Sequence, residues 1–347
     1  MVTHRRGPEV VVVIDERRGS YDVVVIGGGP AGLNGALMLG RARRSVLVID
    51  AGSPRNAPAA GVHGLLGREG IPPGELLEQG RAEVRAYGGS IVRDEVRSVA
   101  RDEDGFTVTL ANGTSVGARR LLIATGLVDE VPDVGGLRER WGREVIHCPY
   151  CHGWEVRDQA IGVLGMGPMS VHQALMFRQL SPDITYFCHT MPPDDEQAEQ
   201  LAARGIRVVD GKVVSLQIVD DRLAGLELAD GTVVHRDALA ISPRMVARAG
   251  VFADLGLRLL DHPSGMGEHI PTDATGRTDV PGVWAAGNVT DLMAQVGSSA
   301  AAGAFAAAQI NADLIAEETQ RAVEEYRREA PTDAAQLPKR FSHSRSE

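Results

Sequence analysis

The sequence predicts an α/β protein built on Rossmann-like dinucleotide folds, and three observations carry that prediction. Residues 21–26 form a short apolar run that ends in the glycine turn Gly27, Gly28, Gly29, Pro30, Ala31, Gly32, after which residues 33–39 continue with helical spacing. Residues 160–167, AIGVLGMG, repeat the strand-then-glycine pattern in mid-chain. Hydrophobic residues make up 43% of the 347 and glycines number 41, which suits tight turns around a bound cofactor. The length allows two domains, each with its own core.

Residues 1–19 read as an N-terminal extension. Arg5 and Arg6 precede the apolar run 10–14, but Asp15 and Glu16 cut it too short for a signal peptide. In the first glycine turn Gly27, Gly29 and Gly32 satisfy G-x-G-x-x-G. The first permits the tight turn, the second lets the backbone approach a pyrophosphate, and the third lets helix and strand pack closely. The helix start offers free N–H groups to phosphate. Residues 45–49 form a second apolar run ending at Asp50, placed to bind a ribose hydroxyl pair. Residues 61–70, with His63, read as a surface loop. Residues 121–126, LLIATG, read as a buried strand closing in a small turn. Residues 279–288, DVPGVWAAGN, precede 295–302, QVGSSAAA, which opens a helix rich in small residues. After Glu317 the chain reads as a charged helix and then a polar tail, 326–347, expected to be disordered.

The net charge of −10 leaves no basic stripe for nucleic acid or an anionic membrane. No apolar run approaches the roughly 20 residues of a spanning helix. The expectation is a soluble, cytoplasmic protein with neither nucleic acid nor membrane as partner.

Chemistry concentrates in residues 147–155, HCPYCHGWE. Two thiols two residues apart can close a small strained ring and exchange electrons through a disulfide. Cys148 and Cys151 are therefore the candidate redox pair. His147 and His152 are candidate acid/base groups, since a thiol near its unperturbed pKa is only partly ionised at neutral pH. A bland reading of either imidazole is a hydrogen bond to a loop carbonyl. Structural zinc needs four ligands, and only Cys188 remains as a third sulfur, so no metal is expected. A glutaredoxin-like pair would open a small domain rather than sit in mid-chain. A structural disulfide fits poorly with three cysteines and no export signal. Tyr150 and Trp154 are expected to line a small apolar pocket, with core packing the alternative for Trp154.

With the glycine turn, the ATG and AAGN segments and the mid-chain Cys-x-x-Cys in place, the chain resembles the low-molecular-weight thioredoxin reductases from about residue 21 to 317. The resemblance implies two three-layer ββα domains, the second inserted in the first: an FAD domain of 20–128 and 248–325, and a 129–247 insert carrying the cysteines. It implies FAD as cofactor and a homodimer. Gly27, Gly29, Pro30, Ala31, Gly32, Asp50 and Ala51 would hold the ADP half, and Thr125 and Gly126 would close over it. Gly287 and Asn288 would meet the ribityl chain, where the family usually has Asp. Gln295 and Val296 would meet the pyrimidine end of the flavin. Residues 61–70 replace a flavin-side glycine loop and are placed to shape the substrate entrance.

The second nucleotide site departs from the family. Gly165 and Gly167 remain, but Ser170 stands at the third small apolar position. Residues 186–195, YFCHTMPPDD, lack the His-Arg-Arg run that binds the 2′-phosphate of NADPH, and His172 and Gln173 replace glutamates beside the nicotinamide. These departures, with CPYCHGWEVRD and AGNVTD, resemble a smaller branch: the FAD-dependent dithiol oxidases that close the disulfides of natural products of the gliotoxin and holomycin type. That branch implies a small-molecule dithiol attacking Cys148, electrons passing through Cys151 to FAD, and O2 as acceptor giving hydrogen peroxide, in biosynthesis or self-protection. A thioredoxin reductase driven by NADPH or ferredoxin, and a non-catalytic flavin/disulfide sensor, remain open on the sequence.

Overall fold

A computed structural model describes residues 19–103 and 105–329. The expected N-terminal extension before Gly19, and the expected tail beyond Glu329, lie outside the described residues.

The strand Ser20–Ile26 lies parallel between Val46–Ile49 and Ser115–Ile123, with Ser90–Val92 beyond the former. Ser115–Ile123 is long enough to serve two neighbours. Its C-terminal part pairs in parallel with Val283–Ala285, and its N-terminal part pairs antiparallel with Phe106–Leu110, which pairs with Val96–Arg101. Side chains alternate faces along a strand, and a sheet covered on both sides needs apolar residues at every position. Val23, Val25, Val46 and Val48 pack on the helix side, while Val24, Ile26, Leu47 and Ile49 pack with Val99, Phe106 and Val108 of the antiparallel strands.

The helix Pro30–Arg41 starts where the glycine turn ends, with Gly29 as N-cap and proline in the first turn, where its missing N–H is not needed. It packs against the C-terminal helix, Val296–Glu329. That helix corrects the sequence reading, in which its charged end gives way to a tail at 326. It runs unbroken to Glu329, and its middle is held by arginines in and beside the sheet: Arg120 pairs with Asp313 and Glu317, and Arg44 and Arg119 pair with Glu318. Arg327 and Arg328 suit the negative end of the dipole.

The second unit is a five-stranded parallel sheet in the order Arg207–Val209, Ile184–Phe187, Ile161–Leu164, Ala238–Ala240, Val145–Ile146. The helices Ser170–Phe177 and Asp195–Ala203 contribute to the core on one face, and the antiparallel strands Val213–Val219, Arg222–Leu228 and Val233–His235 to the core on the other. Leu127–Glu130 and Arg244–Ala247 pair antiparallel, so the chain crosses between the two units through adjacent strands. Among the described residues no helix is long and apolar enough to cross a membrane.

Candidate active site

A cavity of about 790 Å³ runs from the first glycine turn to the cysteine pair. At the turn, Gly27 has φ +116°, and a Cβ there would lie 2.2 Å from the Ala124 carbonyl oxygen, so only glycine fits. A Cβ on Gly29 would meet nothing within 4 Å. Beside it the first turn of the helix carries no acidic side chain, which leaves its N–H groups to an anion. Gly32 does not line the cavity. A Cβ there would lie 1.9 Å from the Gly27 carbonyl oxygen, so its place in the fingerprint is packing. Pro30, Ala31, Asp50 and Ala51 do line the cavity. Asp50 Oδ1 accepts the Gly52 N–H at 2.8 Å, and Oδ2 accepts from Arg81 at 3.3 Å.

Thr125 and Gly126 form the next part of the wall, with the Thr125 hydroxyl donating to the Arg248 carbonyl at 2.7 Å. Gly287, Asn288, Gln295 and Val296 complete it. The Asn288 Nδ2 donates to the carbonyls of Asp291 at 3.1 Å and Ala294 at 2.8 Å, bonds that an aspartate could not make. Its Oδ1 remains an acceptor. The elongated cavity, the open phosphate seat at Gly29 and the acid at one end fit FAD.

Val145–Ile146 delivers the redox loop to the far end of this cavity. Pro149 opens the one-turn helix Pro149–His152, capped by Cys148. The Cys151 S–H points at Cys148 Sγ, 2.6 Å away, and Gln295 Nε2 approaches Cys151 Sγ at 3.7 Å. Accepting from the Cys151 thiol, and from the backbone N–H groups of Cys151 and Tyr150, the Cys148 thiol is pushed down to about 6 against the opposing effect of burial. The same shared proton and burial hold the Cys151 thiol up. The two thiols are thus pushed in opposite directions, Cys148 toward the thiolate and Cys151 toward the thiol.

Both histidines line the cavity. His147 Nδ1 lies 3.0 Å from the Ile241 carbonyl, which makes Nδ1 the donor and leaves Nε2 as the basic nitrogen. The carbonyl hydrogen bond raised as the bland alternative is therefore present and fixes the tautomer. The buried Gln173 clips this loop: its Nε2 donates to the carbonyls of His147 at 2.7 Å and Ile241 at 3.0 Å, and its Oε1 accepts from Ser242 at 3.1 Å. A glutamate here could not donate to either carbonyl. Burial lowers the pKa of both imidazoles, with Glu155 opposing the effect at His152.

Tyr150 and Trp154 correct the sequence reading. They are 75% and 65% exposed and neither lines the cavity; Trp154 is stacked instead under the Arg157 guanidinium, 4.2 Å from its ring centre. Tyr150 lies on the outer side of the one-turn helix, and Trp154 lies in the turn that follows it. Two features of the wall escaped sequence reasoning, and a third was legible only as part of a loop. Gly28 lacks the Cβ that would sit 2.4 Å from the Asp50 carboxyl carbon, and the triple glycine was a signal for it. Arg55 and Asp129, 74 positions apart, form a two-bonded ion pair at 2.7 and 2.6 Å, for which no spacing rule exists. His63 reaches the wall from the loop 61–70.

The second glycine turn is closed by its own chain. The Ser170 hydroxyl, fully buried, accepts the N–H groups of Met166 at 3.0 Å and Gly167 at 3.2 Å, the donors a phosphate would use. Thr190 donates to the Gly165 carbonyl through its N–H and its hydroxyl, and the Tyr186 hydroxyl donates to the Met191 carbonyl at 2.7 Å, packing 188–191 over the turn. Asp194 is spent as the cap of its helix, bonded reciprocally with Gln197. Cys188 is buried, and its thiol, bonded to Asp210, is pushed up to about 11 chiefly by burial. Among the described residues no group of three His, Cys, Asp or Glu could hold a metal ion.

The comparisons agree with this architecture. The family model described as pyridine nucleotide-disulphide oxidoreductase matches residues 21–308. Thioredoxin reductase sirT of Leptosphaeria maculans is 32% identical over 310 residues, covering 84% of this chain and 93% of that protein. Thioredoxin reductase tcpT of Claviceps purpurea is 31% identical over 312 residues, covering 84% and 95%. Among solved structures, HlmI superposes with a TM-score of 0.84 at 47% identity, covering 89% of this chain and 97% of that one. An oxidoreductase from Agrobacterium tumefaciens gives 0.80 at 36%, covering 85% and 99%. The chain belongs to the pyridine nucleotide-disulphide oxidoreductase family, as an FAD-dependent disulfide oxidoreductase of the thioredoxin reductase type.

Proposed function

We propose that this chain oxidises a small-molecule dithiol to its intramolecular disulfide through Cys148 and Cys151, with O2 as final acceptor, in natural-product biosynthesis or self-protection. The observation that carries the reading is the contrast between the two glycine turns. The first opens onto a cavity that reaches the cysteines, whereas the second has its phosphate donors taken by Ser170. That occupation of the donors argues against NADPH at the second turn and supports entry of electrons from the thiol side.

A substrate thiolate attacks Cys148 Sγ of the oxidised pair, forming a mixed disulfide and releasing Cys151 as thiolate. The second substrate thiol attacks the substrate sulfur of that bond, expels Cys148 and leaves as the cyclic disulfide. The pair now holds the two electrons the substrate lost. Bound FAD supplies a two-electron acceptor that can pass them to O2 as hydrogen peroxide. His152 and His147, kept neutral by burial, are the bases that take protons from the thiols. The Gln295 amide steadies Cys151, the sulfur it approaches at 3.7 Å.

FAD-loaded protein supplied with 1,4-dithiothreitol should consume O2 and yield one peroxide per disulfide, and Cys148→Ser or Cys151→Ser should abolish the reaction. Absence of dithiol-dependent O2 uptake by the wild type overturns the reading.

A further inference from the structure

The parallel strands Val145–Ile146 and Ala238–Ala240 end just where the chain enters the redox loop. Beyond them the Ile241 N–H still donates to the Ile146 carbonyl at 2.9 Å. The next carbonyl on each chain, His147 on one and Ile241 on the other, is taken by a single side chain. Gln173 Nε2 donates to them at 2.7 and 3.0 Å, and the Ser242 hydroxyl, donating to Oε1 at 3.1 Å, fixes which end of the amide faces them. The amide thus uses both N–H donors and its oxygen, at a residue only 4% exposed.

Two of these contacts bear directly on the reacting groups. The His147 carbonyl belongs to the planar peptide that contains the Cys148 nitrogen, so holding one holds the other. The Ile241 carbonyl is also the acceptor for His147 Nδ1 at 3.0 Å, so the atom that orients the imidazole is itself held by Gln173. Gln173 lies three positions after Ser170 on the helix Ser170–Phe177, one turn along the same face. That helix therefore closes the second glycine turn at its start and grips the redox loop one turn later.

We propose that Gln173 is a positioning residue for thiol–disulfide exchange: it holds the Cys148 backbone so that Sγ meets the incoming thiolate, and it holds the carbonyl that orients the His147 ring. This rests on the dithiol-oxidation reading and deepens it. In that step the bond between Cys148 and Cys151 breaks, a bond from the substrate sulfur to Cys148 Sγ forms, and Cys151 leaves as thiolate with the electron pair. Displacement at sulfur needs the three sulfurs nearly in line, so a small swing of the Cys148 backbone costs rate even in an intact fold. The return of electrons from reduced flavin to O2 makes no bond to either cysteine and is independent of the clip.

The test separates these two half-reactions by stopped flow on FAD-loaded wild type, Gln173→Glu, Gln173→Met and Ser242→Ala, with circular dichroism and flavin absorbance confirming fold and loading. Glutamate keeps the shape of the side chain but turns acceptor oxygens on two carbonyls, and methionine keeps its length but donates nothing. Each should slow anaerobic bleaching by dithiothreitol roughly ten- to a hundredfold, while re-oxidation of the photoreduced flavin by O2 stays within about twofold of wild type. Ser242→Ala leaves both carbonyl bonds in place and should slow bleaching only about two- to fivefold. A merely structural role would change stability and leave both half-reactions of the folded protein alone. Bleaching at the wild-type rate in either Gln173 variant, or equal slowing of bleaching and re-oxidation, overturns the proposal. Should neither Gln173 variant fold, Ser242→Ala decides alone, and an unchanged bleaching rate in it overturns the proposal. A wild type that fails to bleach instead overturns the dithiol-oxidation reading.

Discussion

The proton shared by the two cysteines should be visible when one partner is removed. In the reduced pair the Cys151 S–H is the largest cause pushing the Cys148 thiol down, which makes Cys148 the thiolate-forming member. Cys151→Ala removes that donor and leaves the two backbone N–H groups and the Gln295 amide to work against burial. The Cys148 titration should rise by roughly one to two pH units, equivalent to about 1.4–2.7 kcal/mol of lost thiolate stabilisation. The assay is iodoacetamide alkylation of reduced wild type and variant across pH 5–9, read by mass spectrometry at Cys148; buried Cys188, pushed up to about 11, stays silent. The midpoint decides rather than the rate at one pH, because each thiolate becomes more nucleophilic as its pKa rises. A variant titrating at the wild-type midpoint would refute the shared-proton account and leave the backbone and the Gln295 amide as the source of the depression.

Gly28→Ala places a Cβ against the Asp50 carboxylate and should yield protein with a markedly lower flavin-to-protein ratio while the fold remains, as read by absorbance and circular dichroism. Asp129→Asn breaks the Arg55 pair at a side chain only 5% exposed and should lower stability by roughly 1–3 kcal/mol, seen as a shifted urea midpoint at unchanged slope. His147 and His152 have folded pKa values below the ordinary 6.5, so the unfolded chain binds more protons in acid. Stability should therefore be unaffected by them above that value and fall as pH drops through and below it. His147→Asn should flatten this part of the thermal-stability profile.

The parts of the fold legible in the sequence were those with local causes. The run 21–26 and its glycines announce strand, turn and helix because both the backbone geometry and the phosphate seat are written within twelve residues. Cys148 and Cys151 are legible for the same reason. The ion pair of Arg55 with Asp129 is not, since it depends on where the chain crosses between the two units. His63 is visible as a loop residue, but its approach to Glu155 needs the strap folded against the redox loop. Tyr150 and Trp154 misled because aromatic character suggests burial, while the single helical turn and the turn after it leave both on the outside. Ser170 was legible as a departure, and the structure adds its physical meaning: the hydroxyl takes the donors itself. The long C-terminal helix reads as two pieces because its small-residue start and charged end differ in composition, though the backbone runs as one helix whose middle is paired to arginines of the sheet.

The most direct test of the central claim follows the visible spectrum of the purified flavoprotein without oxygen, with NADPH added to one sample and dithiothreitol to another, before air is admitted to both. Bleaching by the dithiol alone, with colour returning and peroxide forming in air, is the expected result. Rapid bleaching by NADPH would contradict the account, because it would require a working phosphate seat where the Ser170 hydroxyl now stands.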